Sequence, residues 1–254
     1  GCTYATQAVD GFASEHLEMI ERLKPGLSSA LEPMTMRKSS QSLLRTYLGD
    51  GPSKAVWNGT IQRGERTTVE AVVMFSDLRG FTALSDTASE AEVFDALNGY
   101  FDIVVQSVEE NGGDVLKFMG DGILSIFAIS EAGERMLQCR QAVLAAQGVL
   151  RSLAALNEGR VAAGTKALDL GIGVNAGRVS YGNIGSPGRL DFTVLGSAVN
   201  VASRIEGLTK TLGERVLTTA NVAQAMPEAF KARGTHSVRG VAEPVELFGM
   251  VERS

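Results

Sequence analysis

Apolar side chains recur at helical spacing in the first part of the chain. This spacing predicts one helix over residues 8–24, ended by Pro25 and Gly26, and a second over residues 36–48. The breaker sequence at 49–52 ends the second helix, and the polar residues 64–68 indicate a linker. No catalytic arrangement of side chains precedes that linker, so this part is predicted to be a helical cap or connector.

A different pattern begins at residue 69. Residues 69–75 form a short, nearly continuous apolar run, which is typical of a strand buried on both faces. Gly120-Asp121-Gly122 lies between two later apolar runs and predicts a tight hairpin turn. The further predicted elements are a helix with a capping box at Ser89 and Glu92 that ends at residues 111–113, strands over 115–119 and 123–127, a helix over 132–156, strands over 167–174, 179–184 and 190–195, and a helix over 198–208.

The order strand, helix, hairpin, helix, strand is the βαββαβ order of a ferredoxin-like sheet, an α+β fold. We therefore predict a helical extension over residues 1–65 and a folded domain over residues 66–254. In this topology the end of the first strand and the hairpin turn lie at the same rim of the sheet. Asp77 follows the first strand and Asp121 lies in the turn, so the topology brings two distant carboxylates together.

Composition narrows the functional classes. The 254 residues are 44% hydrophobic and 21% charged, as expected of a folded protein, and the formal net charge of −5 argues against a general nucleic-acid binder. Two cysteines and two histidines leave little material for disulfides or zinc, which favours a reducing, cytoplasmic location. No apolar run has the length of a membrane span. Because the chain begins with Gly1 rather than Met, we expect the natural protein to extend upstream, with a sensor or membrane segment left open.

Paired carboxylates at one rim form a hard-oxygen site suited to Mg²⁺ or Mn²⁺, ions that commonly share their shell with substrate phosphates. After Asp77, Gly80 permits close backbone approach, and the amides from residue 78 through Phe81 and Thr82 are placed to hold phosphate oxygens. A single aspartate in such a position is usually a turn or cap residue. The pairing of Asp77 with Asp121 beside a glycine-bearing loop shifts the balance towards a metal site.

Four further polar residues are candidates for substrate contacts. Asn200 and Arg204 are four residues apart and share one helix face, where a guanidinium can bind a phosphate through two hydrogen bonds and an amide can orient a sugar. Local hydrogen bonds on a helix surface explain that pair equally well. Lys117 and Thr193, taken alone, are ordinary strand residues.

Three motifs together resemble the class III nucleotidyl cyclase catalytic domain. They are FSDLRGFT at 75–82, KFMGDG at 117–122 and TVLGSAVNVASRIEGL at 193–208, within a resemblance that covers about residues 69–250. Each motif alone is a weak pattern, whereas the set in this order and spacing is specific. The resemblance implies that residues 66–254 form such a domain.

The resemblance also implies a role for each matched residue. It implies two Mg²⁺ (or Mn²⁺) ions per active site. The matched positions are Asp77, Asp121 and the backbone carbonyl of Leu78 for the metals, Lys117 and Thr193 for the purine, and Asn200 and Arg204 for the ribose and the transition state.

The two purine positions favour ATP. Lys117 donates hydrogen bonds and Thr193 both donates and accepts, which suits the N1 acceptor and amino donor of adenine. Guanylyl enzymes of the family place Glu and Cys there, whereas the Lys/Thr pair resembles that of a bacterial adenylyl cyclase subgroup. The implied activity is an adenylate cyclase that converts ATP to 3′,5′-cyclic AMP and pyrophosphate. A guanylyl or mixed-specificity cyclase, or a catalytically silent nucleotide-binding regulatory module, remains the alternative.

The family divides each active site between two subunits, with the metal aspartates on one and the base-reading, Asn and Arg residues on the other. This chain carries both sets, so the resemblance implies a homodimer with composite active sites. Residues 181–189 are similar to the interface arm of relatives. ATP is the implied small-molecule partner, and no nucleic acid is implied.

Overall fold

The computed structural model describes residues 3–59, 64, 66–186, 188–239, 241 and 243–251. Contacts within the chain divide it into two compact units, Gly1–Tyr47 and Leu48–Ser254. Among the described residues, none of the helices combines the length and the apolar character that a membrane span requires.

The first unit is built on one long helix, α1 (Ser14–Leu48), which runs through Pro25 and Pro33. The prediction that Pro25 ends a helix was therefore wrong, and the two predicted helices are one. Each proline removes one backbone donor, but the helix continues on either side of both positions. The helix ends where predicted, because Gly49 takes φ 80°.

The second unit contains six α-helices and eight strands within the described residues. The helices are α2 (Asp50–Trp57), α3 (Phe81–Thr87), α4 (Glu90–Glu110), α5 (Arg135–Ala162), α6 (Ser197–Leu212) and α7 (Ala220–Ala223). The strands are β1 (Arg66–Leu78), β2 (Asp114–Met119), β3 (Gly122–Ile129), β4 (Leu170–Ser186), β5 (Arg189–Leu195), β6 (Val216–Thr219), β7 (Phe230–His236) and β8 (Val245–Met250).

Two boundaries differ from the sequence predictions. Of the predicted linker at 64–68, Glu65 lies outside the described residues, and Arg66 already begins β1. The strands predicted over 167–174 and 179–184 are one strand, β4, because the residues between them continue the ladder with β1: Asn175 pairs with Val73.

The capping box of α4 forms as predicted. Ser89 Oγ accepts a hydrogen bond from the backbone N–H of Glu92 at 3.3 Å, and the Glu92 carboxylate accepts one from the N–H of Ser89 at 2.9 Å. At the other end, Asn111 is the C-cap and Gly112 takes φ 73°. Both ends satisfy backbone groups that a helix leaves unpaired.

The sheet has the strand order β2-β3-β1-β4-β6-β8-β7, with β5 paired to the outer half of β4. Its first four strands are antiparallel neighbours, which is the order of a ferredoxin-like βαββαβ sheet, so the predicted α+β fold is confirmed. The parallel pairing of β4 with β6 then extends the sheet beyond that unit.

Both faces of β1 are covered, which explains its unbroken apolar run. Val72 and Met74 face a core that includes residues of α4 and α5, such as Tyr100. Val73 belongs to a second cluster with Ala202 of α6. A strand buried on both faces gains from apolar side chains at every position.

Glycines in β4 let α6 lie directly against the sheet. A Cβ at Gly173 would lie 2.2 Å from the carbonyl oxygen of Ala202, and one at Gly171 would lie 2.5 Å from the Glu206 carboxylate. Real Cβ atoms do not approach backbone so closely, so the contact at Gly173 requires glycine, whereas a Cβ at Gly171 would displace the ends of neighbouring side chains. The packing fixes α6, and with it the direction of its polar residues.

Candidate active site

The two aspartates singled out from the sequence meet at one rim of the sheet. Asp77 lies near the end of β1 and pairs with Gly122, the first residue of β3, and Asp121 immediately precedes that residue. The pKa of Asp77 is raised from 3.8 to about 6, first by burial, then by the negative charge of Asp121 and a hydrogen bond with its carboxyl group. A hydrogen bond from the backbone of Leu78 opposes this shift.

This rim carries an uncompensated negative charge. Oδ1 of Asp77 is buried and has no hydrogen-bond partner within the part of the chain that the structure describes. A buried oxygen without a partner is unfavourable, and a hard divalent cation is the ligand that carboxylates accept best. No group of three or more His, Cys, Asp or Glu side chains suited to a metal occurs among the described residues. Two carboxylates nevertheless fit Mg²⁺, which commonly takes its remaining ligands from water and substrate phosphates.

A third carboxylate, Glu206 of α6, faces the same rim and was missed by the sequence analysis. Its pKa is raised to about 7 by burial and then by the charge of Asp77, with a smaller contribution from Asp121, while Arg79 opposes the shift. The sequence contains no signal for this placement. Glu206 is brought to the rim by the close contact of α6 with the β4 glycines.

The loop after Asp77 is held by Arg79. The backbone N–H of Arg79 donates to the carbonyl oxygen of Asp169 at 2.8 Å. The Arg79 guanidinium donates to the Asp169 carboxylate at 2.9 Å and to the carbonyl oxygen of Glu214 at 2.5 Å. After Glu206 of α6, Arg79 is thus a second residue that sequence reasoning missed. The arginine anchors the loop to the neighbouring part of the domain.

These hydrogen bonds reduce the set of backbone amides that can bind phosphate as predicted. The backbone N–H group of Arg79 already donates to the carbonyl oxygen of Asp169, so the prediction for this amide was wrong. Gly80 takes φ 70° as the N-cap of α3, and Phe81 and Thr82 open the helix. First-turn N–H groups have no acceptor within their own helix, so this part of the predicted set stays a candidate.

The two predicted purine-reading positions lie on facing strands. Lys117 of β2 forms an ion pair with Asp191 of β5. Thr193 is two residues further along β5 and therefore lies on the same face as Asp191. Thr193 also lines a hollow of about 560 Å³ together with residues that include Tyr181 and Arg66. Sequence reasoning missed Asp191, although its two-residue spacing from Thr193 on a predicted strand was the available signal.

Asn200 and Arg204 project from α6 without side-chain partners among the described residues. Asn200 is exposed and Arg204 is half-buried. Neither side chain forms a hydrogen bond or ion pair with any described residue, and neither contacts Asp77 or Asp121. The structure therefore brings Asp77 and Asp121 together and pairs Lys117 with Asp191, two residues from Thr193. It does not bring this amide and guanidinium to the acids of the same chain.

Comparison with known families agrees with this geometry. Residues 65–251 match the adenylate and guanylate cyclase catalytic domain family. The chain belongs to this family. The match covers the whole sheet rim, both purine positions and α6.

Individual relatives of the cyclase domain include enzymes of both substrate classes. The adenylate cyclase of Anabaena cylindrica is 33% identical over 195 residues, which is 74% of this chain and 38% of that protein. The crystal structure of the adenylyl cyclase CyaB from P. aeruginosa is 28% identical with a TM-score of 0.67, over 75% of this chain and 97% of that one. The guanylyl cyclase Cya2 is 29% identical with a TM-score of 0.63, over 76% and 96%.

The chain spans less than half the length of the first curated relatives that it matches. The two solved structures, one named an adenylyl and one a guanylyl cyclase, are almost equally similar to this cyclase domain. Overall similarity therefore does not determine whether the substrate carries adenine or guanine.

Proposed function

We propose that this cyclase domain converts ATP to 3′,5′-cyclic AMP and pyrophosphate. The observation that carries the proposal is the pair Asp77 and Asp121, whose charges meet at one rim where a buried oxygen has no partner among the described residues. Asp77, Asp121 and the carbonyl of Leu78 would hold two Mg²⁺ or Mn²⁺ ions. Such ions activate the ribose 3′-hydroxyl for attack on the α-phosphorus and neutralise the triphosphate.

The polar residues of the chain position the nucleotide. Arg204 stabilises the charge that develops on the α-phosphate, since a planar guanidinium forms two parallel hydrogen bonds with phosphate oxygens. Asn200 orients the ribose. The first-turn N–H groups of α3, at Phe81 and Thr82, donate to the phosphates across Gly80. In such phosphoryl chemistry, positioning and charge stabilisation provide most of the acceleration.

The purine positions support ATP over GTP. Lys117 donates to N1 of adenine, and the Thr193 hydroxyl accepts from the amino group. Guanine presents donors at N1 and at its amino group, which oppose the donors of an ammonium. A donor-rich Lys117 thus penalises GTP and favours ATP.

The free amide and guanidinium of α6 support a composite site in a homodimer. Asn200 and Arg204 have no partner among the described residues of their own chain, so we assign them to Asp77 and Asp121 of a second copy. A two-fold arrangement then contains two equivalent sites. The β4–β5 hairpin supplies apolar contact through Ile184 and Leu190, which are 45% and 38% exposed. This hairpin includes the predicted interface arm at 181–189, of which Pro187 lies outside the described residues.

Mixing two inactive variants tests this proposal. Asp77→Ala and Arg204→Ala chains each lack one half of every site, whereas a mixed dimer has one intact site. Random pairing of equal amounts makes half of the dimers mixed, so we expect about a quarter of the wild-type rate of cyclic AMP formation with Mn²⁺. Mixing Asp77→Ala with Asp121→Ala is the control. Both substitutions remove an acid from the metal-binding half of the site, so no mixed dimer has an intact site and no activity is expected.

Three outcomes distinguish the alternatives. Activity that stays absent in mixed dimers verified by differential tags contradicts the composite site. Turnover of GTP faster than ATP by the wild type favours a guanylyl cyclase. A wild type that binds nucleotide with Mn²⁺ but forms no cyclic product favours the silent regulatory module.

A further inference from the structure

Asp191 is bonded to the lysine that the proposed function places at the purine. The ion pair joins Lys117 Nζ to the carboxylate of Asp191, 74 residues later in the sequence, and bridges β2 and β5. The side chains are 38% and 58% exposed, respectively. Among the described residues, Lys117 has no other side-chain partner, so Asp191 alone sets its direction.

The strand register places a hydroxyl beside this pair. Asp191 pairs with Ile184 of β4 and Thr193 pairs with Gly182, so acid and hydroxyl occupy alternate positions on one face of β5. An ammonium, a carboxylate and a hydroxyl therefore share one patch next to the hollow that Thr193 lines. All three groups belong to one chain.

We propose that Asp191 is a specificity-determining residue that positions Lys117 for adenine; this inference rests on the proposed function. A lysine has a long flexible side chain with three donors, and holding it in one direction is entropically unfavourable. The Asp191 carboxylate accepts a hydrogen bond from one of the three N–H groups of the ammonium. This contact orients the other two N–H groups towards the purine edge. Without Asp191, the ammonium samples many directions, and the N1 atom of adenine loses a fixed donor.

The same contact limits the binding of guanine. An unpaired carboxylate at this place accepts well from the N1–H and amino group of guanine. Pairing with Lys117 engages Oδ2 of Asp191 and offsets its charge, so the acid is a weaker acceptor for guanine. The pair thus acts on ATP and GTP in opposite directions, which a residue that merely stabilises the fold would not do.

The test compares the affinities of non-hydrolysable ATP and GTP analogues in the presence of Mn²⁺. Asp191→Asn keeps the shape and removes the charge, and Asp191→Glu keeps the charge. Glu109→Gln, on the exposed end of α4, is the matched control for loss of one negative charge. We expect Asp191→Asn to weaken the ATP analogue about two- to fivefold, the range for an exposed ion pair, with no loss for the GTP analogue. Asp191→Glu restores most of the ATP affinity, and Glu109→Gln changes neither affinity.

A double variant shows whether Asp191 acts through Lys117. In Lys117→Ala, the further change Asp191→Asn is expected to cause no additional loss of the ATP analogue, because the residue it positions is already gone. Additive losses, or equal losses of both analogues in Asp191→Asn, overturn the inference. An unchanged thermal midpoint in Asp191→Asn supports positioning, since an exposed pair contributes little to folding.

The binding assay separates this inference from the proposed function. A wild type that binds the analogues but forms no cyclic nucleotide refutes the cyclase activity, while the ratio of affinities still decides the role of Asp191. A wild type that binds neither analogue overturns both.

Discussion

Replacing Asp77 by Asn is expected to stabilise the metal-free protein while abolishing catalysis. The pKa of Asp77 is raised from 3.8 to about 6, first because of burial and then because of Asp121. A shift of this size corresponds to about 3 kcal/mol between the two protonation states. The carboxyl is only partly buried, and solvent screening reduces the effect, so we expect a gain of about 1–2 kcal/mol in the free energy of unfolding.

The sign of the effect depends on pH. The folded protein binds the Asp77 proton more tightly than the unfolded chain, so its free energy of unfolding falls as pH rises from about 4 to about 6. In Asp77→Asn the side chain cannot ionise, so this fall in the free energy of unfolding does not occur. The gain is therefore present at about pH 8 and nearly absent at about pH 4, where the folded carboxyl is already neutral.

Denaturant unfolding in a chelator at the two pH values measures this gain. Asp102→Asn, which removes a charge from an exposed position of α4, is the matched control. Adding Mg²⁺ is expected to raise the thermal midpoint of the wild type and to have less effect on Asp77→Asn. A gain no larger than that of Asp102→Asn, or an equal gain at both pH values, would refute the reasoning that charge accumulates at this rim.

Three further substitutions test how the site is held. Gly173→Ala places a Cβ 2.2 Å from a backbone oxygen of α6 and should lower the free energy of unfolding by about 1–3 kcal/mol, whereas Gly207→Ala, in open space on α6, should raise it by up to about 1 kcal/mol; denaturation curves compare the two. Ser89→Ala removes the α4 cap and should destabilise by about 1 kcal/mol in the same assay, with Ser89→Asp as the capping-competent control. Arg79→Ala loses two hydrogen bonds that hold the loop after Asp77 and should destabilise by about 2 kcal/mol; unchanged stability would show that the loop is held by other contacts.

Local patterns in the sequence were sufficient for most of the sheet. The capping box at Ser89 and the hairpin turn at residues 120–122 formed as predicted, because a cap and a turn depend on a few adjacent residues. The long α1 and the continuous β4 were not predicted. The helix α1 continues through Pro25, and the strand β4 continues through Asn175. Local sequence preference predicted a break at both places, so it did not decide where these elements end.

The order of strands and helices, together with the two acids near strand ends, determined from the sequence alone that Asp77 and Asp121 would share one rim. Only the tertiary structure decided that Glu206 joins them and that Asp191 holds Lys117. The physical reason is that strand order follows from short-range periodicity and turns. Which side chains then touch depends on strand register and on how closely α6 approaches the glycines of β4, and these distances arise only when the elements pack.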